Sequence, residues 1–179
     1  MKNQDQPSNQ NHSSPDVERL GKLISGIRIA MLTTLNDDGT LHSRPMATQE
    51  TEFDGELWFF TAEHSEKCRN IRARPTVNVA YSNPQDNRYL AISGRGEIIK
   101  DPAKAKALWN PLLKAWFPKG LEDPELTLLK IKVEQAEYWD TPSSTAVQVY
   151  GFLKAVVTGK PYQKDKEQDD QHKKIDLAG

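Results

Sequence analysis

The sequence predicts a mainly β protein, a six-stranded antiparallel β-barrel with α-helical decoration. Two observations predict it. Six segments have strand composition or two-residue alternation, and most are joined by compact turn-forming clusters. The helical patterns between them are few and short, and the early one is too short to cover a parallel βαβ crossover.

Taken in order, Ser14-Pro15-Asp16 is a helix start, with a capping serine and a proline suited to the first turn. Val17, Leu20, Leu23, Ile24 and Ile27 then recur at helical spacing, which predicts a first helix over 15–26. The branched run Ile27 to Asn36, the tight turn Asn36-Asp37-Asp38-Gly39 and the alternating Thr40 to Thr51 form a hairpin. Phe53-Asp54-Gly55 turns the chain again, and Glu56 to Ala62 is a third, largely buried strand. Ser65 to Arg74 is a short helix stopped by Pro75, which disfavours helix at the residue before it.

Thr76 to Ser82 and Tyr89 to Ile99 are the fourth and fifth strands around an Asn83–Asn87 turn. Gly94 and Gly96 mark a bulge or barrel corner in the fifth. Asp101-Pro102 starts a helical pair that Pro111 breaks and that ends near Phe117-Pro118. Leu129, Ile131 and Val133 alternate with charged residues in a sixth strand running toward Tyr138-Trp139. Ala146, Val149, Tyr150, Leu153, Val156 and Val157 form a last amphipathic helix.

These elements make one domain over residues 15–159, between a disordered tail at 1–14 and a polar tail at 160–179. The tails explain a mean hydropathy of −0.73 that is low for a globular chain. With 24 basic and 25 acidic residues the net charge is −1, so no long-range field draws nucleic acid or acidic lipid. No apolar run has the length of a membrane span or the form of a signal peptide, and the expected location is the cytoplasm. The lone Cys68 reads as a small buried hydrophobe. His12, His42, His64 and His172 lack metal-ligand spacing, and Gly94-Arg95-Gly96 precedes a strand instead of opening a helix, unlike a phosphate loop.

The chemistry concentrates between residues 44 and 67, in Arg44-Pro45-Met46, Phe60-Thr61 and Ser65-Glu66-Lys67. A strand proline leaves backbone free for a ligand, and a serine-initiated helix offers amides to an anion beside the Lys67 charge. Each fragment also has a plainer reading. Ser65 alone is an N-cap, Thr61 a β-favouring residue and Arg44 a solvated strand cation. Trp109 and Trp116, seven apart, would share a face of a continuous helix, a pattern more often core than cofactor wall. Pro111 interrupts that continuity.

In order and spacing these residues, with Trp58-Phe59-Phe60-Thr61, Trp109-Asn110-Pro111, Trp116-Phe117-Pro118 and Glu137-Tyr138-Trp139-Asp140, resemble the pyridoxamine 5'-phosphate oxidase-like FMN-binding split barrels. The likeness is strongest to their general stress protein branch and runs from about Leu20 to Gly159. It implies FMN as cofactor, with Arg44, Pro45, Met46, Ala47, Gln49, Phe60, Thr61, Ser65, Lys67, Trp109 and Trp116 around it. Arg44, Thr61, Ser65 and Lys67 would serve the phosphate and ribityl region. Pro45 to Gln49 would follow the flavin edge, and one tryptophan, Trp116 before Trp109, would cover the ring.

The resemblance further implies a homodimer with FMN at the subunit interface, for which Leu57–Phe60 and Leu129–Val133 offer apolar surface, and a nicotinamide or other small-molecule electron donor. Two functions follow from it. One is a flavin-dependent oxidoreductase of unknown substrate. The other is a non-enzymatic flavin-binding sensor, reservoir or scavenger. Two departures speak against vitamin oxidation: Glu66 stands where pyridoxamine phosphate oxidases carry a basic residue, and their substrate-holding carboxy-terminal region is replaced here.

Overall fold

The computed structural model describes residues 14–140 and 172–177. The amphipathic pattern at 146–157 lies outside them. Helix α1 is Pro15–Ile24, capped as expected by Ser14, whose hydroxyl accepts from the Val17 amide at 3.3 Å. Strands β1 (Ile29–Leu35) and β2 (Leu41–Ala47) form the hairpin, with Gly39 at φ 84° in its turn. Strand β3 (Glu56–Ala62) leads to α2 (Glu66–Ala73), then β4 (Thr76–Asn83) and β5 (Arg88–Ile99). Helix α3 (Pro102–Leu108) is capped by Asp101, and a 3₁₀ turn over Pro111–Ala115 is capped by Asn110. Strands β6 (Leu126–Asp140) and β7 (His172–Asp176) complete the sheet.

All pairings are antiparallel, in the order β2-β1-β4-β5-β6-β3, with β7 on β6. Among the described residues the strand count is therefore seven, one more than expected. The added strand lies within the segment read as a polar tail: a single apolar residue, Ile175, is 2% exposed among charged neighbours, so alternation has almost nothing to show. The fifteen residues of β6 pair with β5 along one edge and, along the other, with β3 over Leu126–Lys132 and β7 over Gln135–Trp139. Between them the β5–β6 register shifts at Ser93/Gly94, the bulge that the glycines announced.

Strands β2 and β3 end the pairing path, yet they touch one another. The sheet has rolled until its edges meet without pairing, a barrel left open along one seam. Its interior is filled by Leu20, Leu32, Phe59, Val79, Ile92, Leu129 and their neighbours. A second cluster outside it joins Trp58, Phe60 and Leu128 to Ala105, Leu113 and Phe117.

This double burial corrects the expected dimer surface. Leu57–Phe60 and Leu129–Val133 pair with each other, and their apolar side chains lie in the two clusters. Neighbouring strand residues face opposite ways, and helix α3 with the 3₁₀ turn covers the face that would otherwise be open. Exposed apolar side chains include Ile29, Met31 and Leu41 on β1 and β2.

Hairpin and α2 are fastened together. Asn70, 2% exposed, donates through Nδ2 to Asn36 Oδ1 at 2.8 Å, and Arg74 Nη1 donates to the Asn36 carbonyl at 2.9 Å. The hairpin turn is thus held by the far end of the helix whose amino end faces the seam.

Candidate functional site

A cleft of about 400 Å³ opens along the seam, within the size range of small-molecule sites. Strand β2 contributes Pro45, Met46 and Ala47, followed by Gln49. Strand β3 contributes Phe60, Thr61 and Ala62, helix α2 contributes Lys67, and the 3₁₀ region contributes Leu113, Trp116 and Phe117. Pro45 is accommodated because β2 is an edge strand, where a missing amide need not break a ladder. Gln49 is half-buried and donates to the Ala47 carbonyl at 3.1 Å, which folds its side chain back along the cleft wall.

The charged end lies where β2 meets α2. Arg44 donates through Nη1 to Thr34 Oγ1 at 2.7 Å, while its Nη2 is buried with no partner. Burial lowers the Arg44 pKa, and the Glu66 carboxylate partly offsets this. Lys67 is half-buried and has no carboxylate partner among the described residues. Burial pushes its amine below the ordinary lysine range, Cys68 opposes this, and the positive charge of Arg44 adds to it. The two cations are thus near neighbours, destabilised by desolvation and by each other.

Ser65 occupies the N-cap position of α2 without capping it. Its hydroxyl donates to Cys68 Sγ at 3.3 Å and lies 3.5 Å from Thr61 Oγ1. The thiol in turn donates to the Ala62 carbonyl at 3.2 Å, and Cys68 is fully buried. The first amides of α2 therefore lack the side-chain acceptor that usually satisfies them, the condition under which a helix amino end binds an anion.

Of the site residues expected from sequence, Pro45, Met46, Ala47, Gln49, Phe60, Thr61, Lys67 and Trp116 line the cleft. Arg44 and Ser65 lie outside that lining, beside Lys67 and Thr61 respectively. Trp109 is elsewhere: it meets Phe60 edge-on, ring centroids 5.8 Å apart, and belongs to the second core cluster. Helix α3 ends at Trp109, so the two tryptophans share no helix face, and Trp116 remains 68% exposed at the cleft mouth. Sequence reading missed Ile29, Ala62, Leu113 and Phe117 as lining residues and Thr34 as the anchor of Arg44. Nothing local marks Thr34, because its contact depends on β1–β2 register. His64 is bound instead to Glu125, with Nδ1 2.8 Å from Oε1.

A family model described as pyridoxamine 5'-phosphate oxidase like matches residues 15–163. The chain belongs to the pyridoxamine 5'-phosphate oxidase-like family. Among solved structures of this family's fold, general stress protein 26 from Bacillus anthracis is 30% identical, with a TM-score of 0.62, covering 70% of this chain and 93% of its own. A general stress FMN/FAD binding protein from Xanthomonas citri is 33% identical, with a TM-score of 0.62 and coverages of 72% and 90%. A curated relative, protein bli-3 of Neurospora crassa, is 28% identical over 155 residues, 81% of this chain and 74% of that protein. Within the pyridoxamine 5'-phosphate oxidase-like family, the likeness therefore runs to the general stress proteins, and the open-seamed sheet is the split barrel.

The residues of the seam fit a flavin mononucleotide. A phosphate needs cations and free donors, which the orphaned Arg44 Nη2, Lys67 and the uncapped α2 amides supply. A flat ring needs apolar walls and backbone edges, which Met46, Leu113, Trp116 and the unpaired side of β2 supply.

Proposed function

We propose that the seam cleft binds FMN and that the protein is an FMN-binding general stress protein acting as a flavin-dependent oxidoreductase. The observation that carries this reading is the pairing of two cations, neither in an ion pair among the described residues, with an uncapped helix, all beside a largely apolar cleft between unpaired strand edges. Arg44, Lys67 and the α2 amides would hold the phosphate, Thr61 and Ser65 the neighbouring hydroxyls, and Met46 with the β2 backbone the ring edge. Bound flavin supplies hydride and electron acceptance, and the chain positions and shields it. A reduced nicotinamide is the proposed donor. The proposed assembly is a cytoplasmic homodimer joined through the apolar β1–β2 face at Ile29, Met31 and Leu41, bringing a second subunit against the cleft.

One feature favours the non-enzymatic reading. Lys67 is the sole titratable side chain among the residues lining the cleft, and Trp116 stands free at its mouth, where stacking would cover a ring face. The visible spectrum of the purified protein tests both readings. A colourless protein that takes up no added FMN refutes them together. Stopped-flow mixing with NADH and NADPH separates them, since flavin that stays oxidised refutes the reductase.

A further inference from the structure

The charged end of the cleft is assembled from two separate pieces of chain. Arg44 rides on the β1–β2 hairpin, where its Nη1 donates to Thr34 Oγ1 at 2.7 Å, whereas Lys67 and the uncapped amides belong to α2. The pieces meet where His42 Nδ1, two residues before Arg44 on β2, lies 3.8 Å from Oε2 of Glu66, the neighbour of Lys67. Gripping one phosphate from both pieces requires a fixed spacing between them. Strand β2 ends the pairing path, so no ladder bond ties it to α2.

A buried amide supplies the tie. Asn70 is 2% exposed and donates through Nδ2 to Asn36 Oδ1 at 2.8 Å. Lys67 and Asn70, three apart, share a face of α2, and Thr34 and Asn36, two apart, share a side of the hairpin. A continuous path therefore runs from Lys67 along α2 to Asn70, across to Asn36, and back along β1 through Thr34 to Arg44. Arg74 adds bonds to the Asn36 carbonyl at 2.9 Å and to Asp37, but its side chain is 40% exposed, and contacts of that kind hold weakly. Packing alone would be served at position 70 by an apolar side chain like that of the adjoining Ile71. A buried amide instead costs desolvation and, once bonded, fixes one geometry. The ring-edge end of β2 has its own tether, the Thr48 amide donating to the Arg28 carbonyl at 2.9 Å, so play at the turn reaches Arg44 before it reaches Ala47 or Gln49. We infer that Asn70 is a positioning residue: its bond to Asn36 sets the distance between Arg44 and the phosphate donors of α2. The inference rests on the flavin reading of the cleft.

A double-mutant cycle tests it, with FMN dissociation constants taken from flavin fluorescence and melting temperatures taken without ligand. Asn70→Leu keeps an apolar side chain in the buried position and removes the donor. It should melt within about 4 °C of the parent and bind FMN about tenfold more weakly, since a charge-assisted contact is misaligned but not deleted. Asn36→Asp keeps an acceptor opposite Asn70 and should stay within about threefold of the parent. In an Arg44→Met background the remaining phosphate donors all sit on α2 and move together, so adding Asn70→Leu should change the constant by less than about twofold. Parent-like FMN binding by Asn70→Leu overturns the inference while the flavin reading stands. Equal losses in the two backgrounds, or a loss in Asn36→Asp as large as that in Asn70→Leu, overturn it in the same way. A parent protein that binds no FMN brings down the flavin reading and this inference with it.

Discussion

Replacing Lys67 with methionine separates ligand binding from folding, because the structure gives the two effects opposite signs. Methionine keeps an unbranched apolar stem against the cleft wall and removes the ammonium. In the ligand-free protein, burial, with a further contribution from Arg44, holds the Lys67 amine below its ordinary value of 10.5. A lysine whose folded value is depressed opposes folding while it is charged, and that penalty fades as pH rises from the folded value and is gone above the ordinary one. At neutral pH the variant should therefore unfold at the same temperature as the parent or higher.

With FMN the sign reverses. One charge-assisted contact to the phosphate is lost, about 1.5–3 kcal/mol, or roughly 10- to 150-fold in Kd. In excess FMN, ligand stabilisation depends on the logarithm of that constant, so the same energy disappears from the thermal shift. For a chain of this size it corresponds to about 3–12 °C. Thermal melts of both proteins, each with and without FMN, give the four numbers needed. An undiminished FMN-induced shift refutes the phosphate role of Lys67. A ligand-free variant that melts several degrees lower shows that the ammonium supports the fold.

Two further outcomes follow from the barrel itself. A Cβ on Gly94 would be driven into the Lys132 carbonyl oxygen across the bulge, so Gly94→Ala should cost about 3 kcal/mol in urea unfolding; a midpoint within error of the parent refutes the bulge geometry. At Glu63, burial raises the carboxyl pKa, but the Arg72 guanidinium and then Lys100 outweigh it and hold the group below its ordinary value of 4.5. A carboxylate depressed in this way stabilises the fold above that value, and the contribution drains away as pH falls through the folded value. The melting temperature should thus fall less steeply in Arg72→Leu than in the parent below about pH 4.5. Parallel pH profiles would remove Arg72 from the explanation.

How much of this was legible in the residues depends on the range of the interaction concerned. Ser14 and Asp101 cap their helices because N-capping involves residues three apart. Strand β3 begins and ends where Gly55 and the run to Ala62 place it, and Gly94 marks the bulge in β5, because turns and pleats are also local. Ser65 was readable as a helix start but not as a cap left unused, since Thr61 and Cys68 reach its hydroxyl only once β3 and α2 are packed. Strand β7 was hidden because its stability comes from pairing with β6, some thirty residues earlier, and one buried isoleucine leaves no alternation.

The amino acids by themselves determined the succession of strands and turns and the supply of cations at Arg44 and Lys67. They also carried the family likeness, because order and spacing survive without knowledge of packing. Only the tertiary structure decided that β2 and β3 face each other across an unpaired seam, that Arg44 keeps one nitrogen without a partner, and that Trp116 rather than Trp109 stands at the cleft. The physical reason is one of range. Capping, turn and pleat energies are set within a few residues, whereas the seam depends on how far the whole sheet rolls, a quantity summed over every pairing in it.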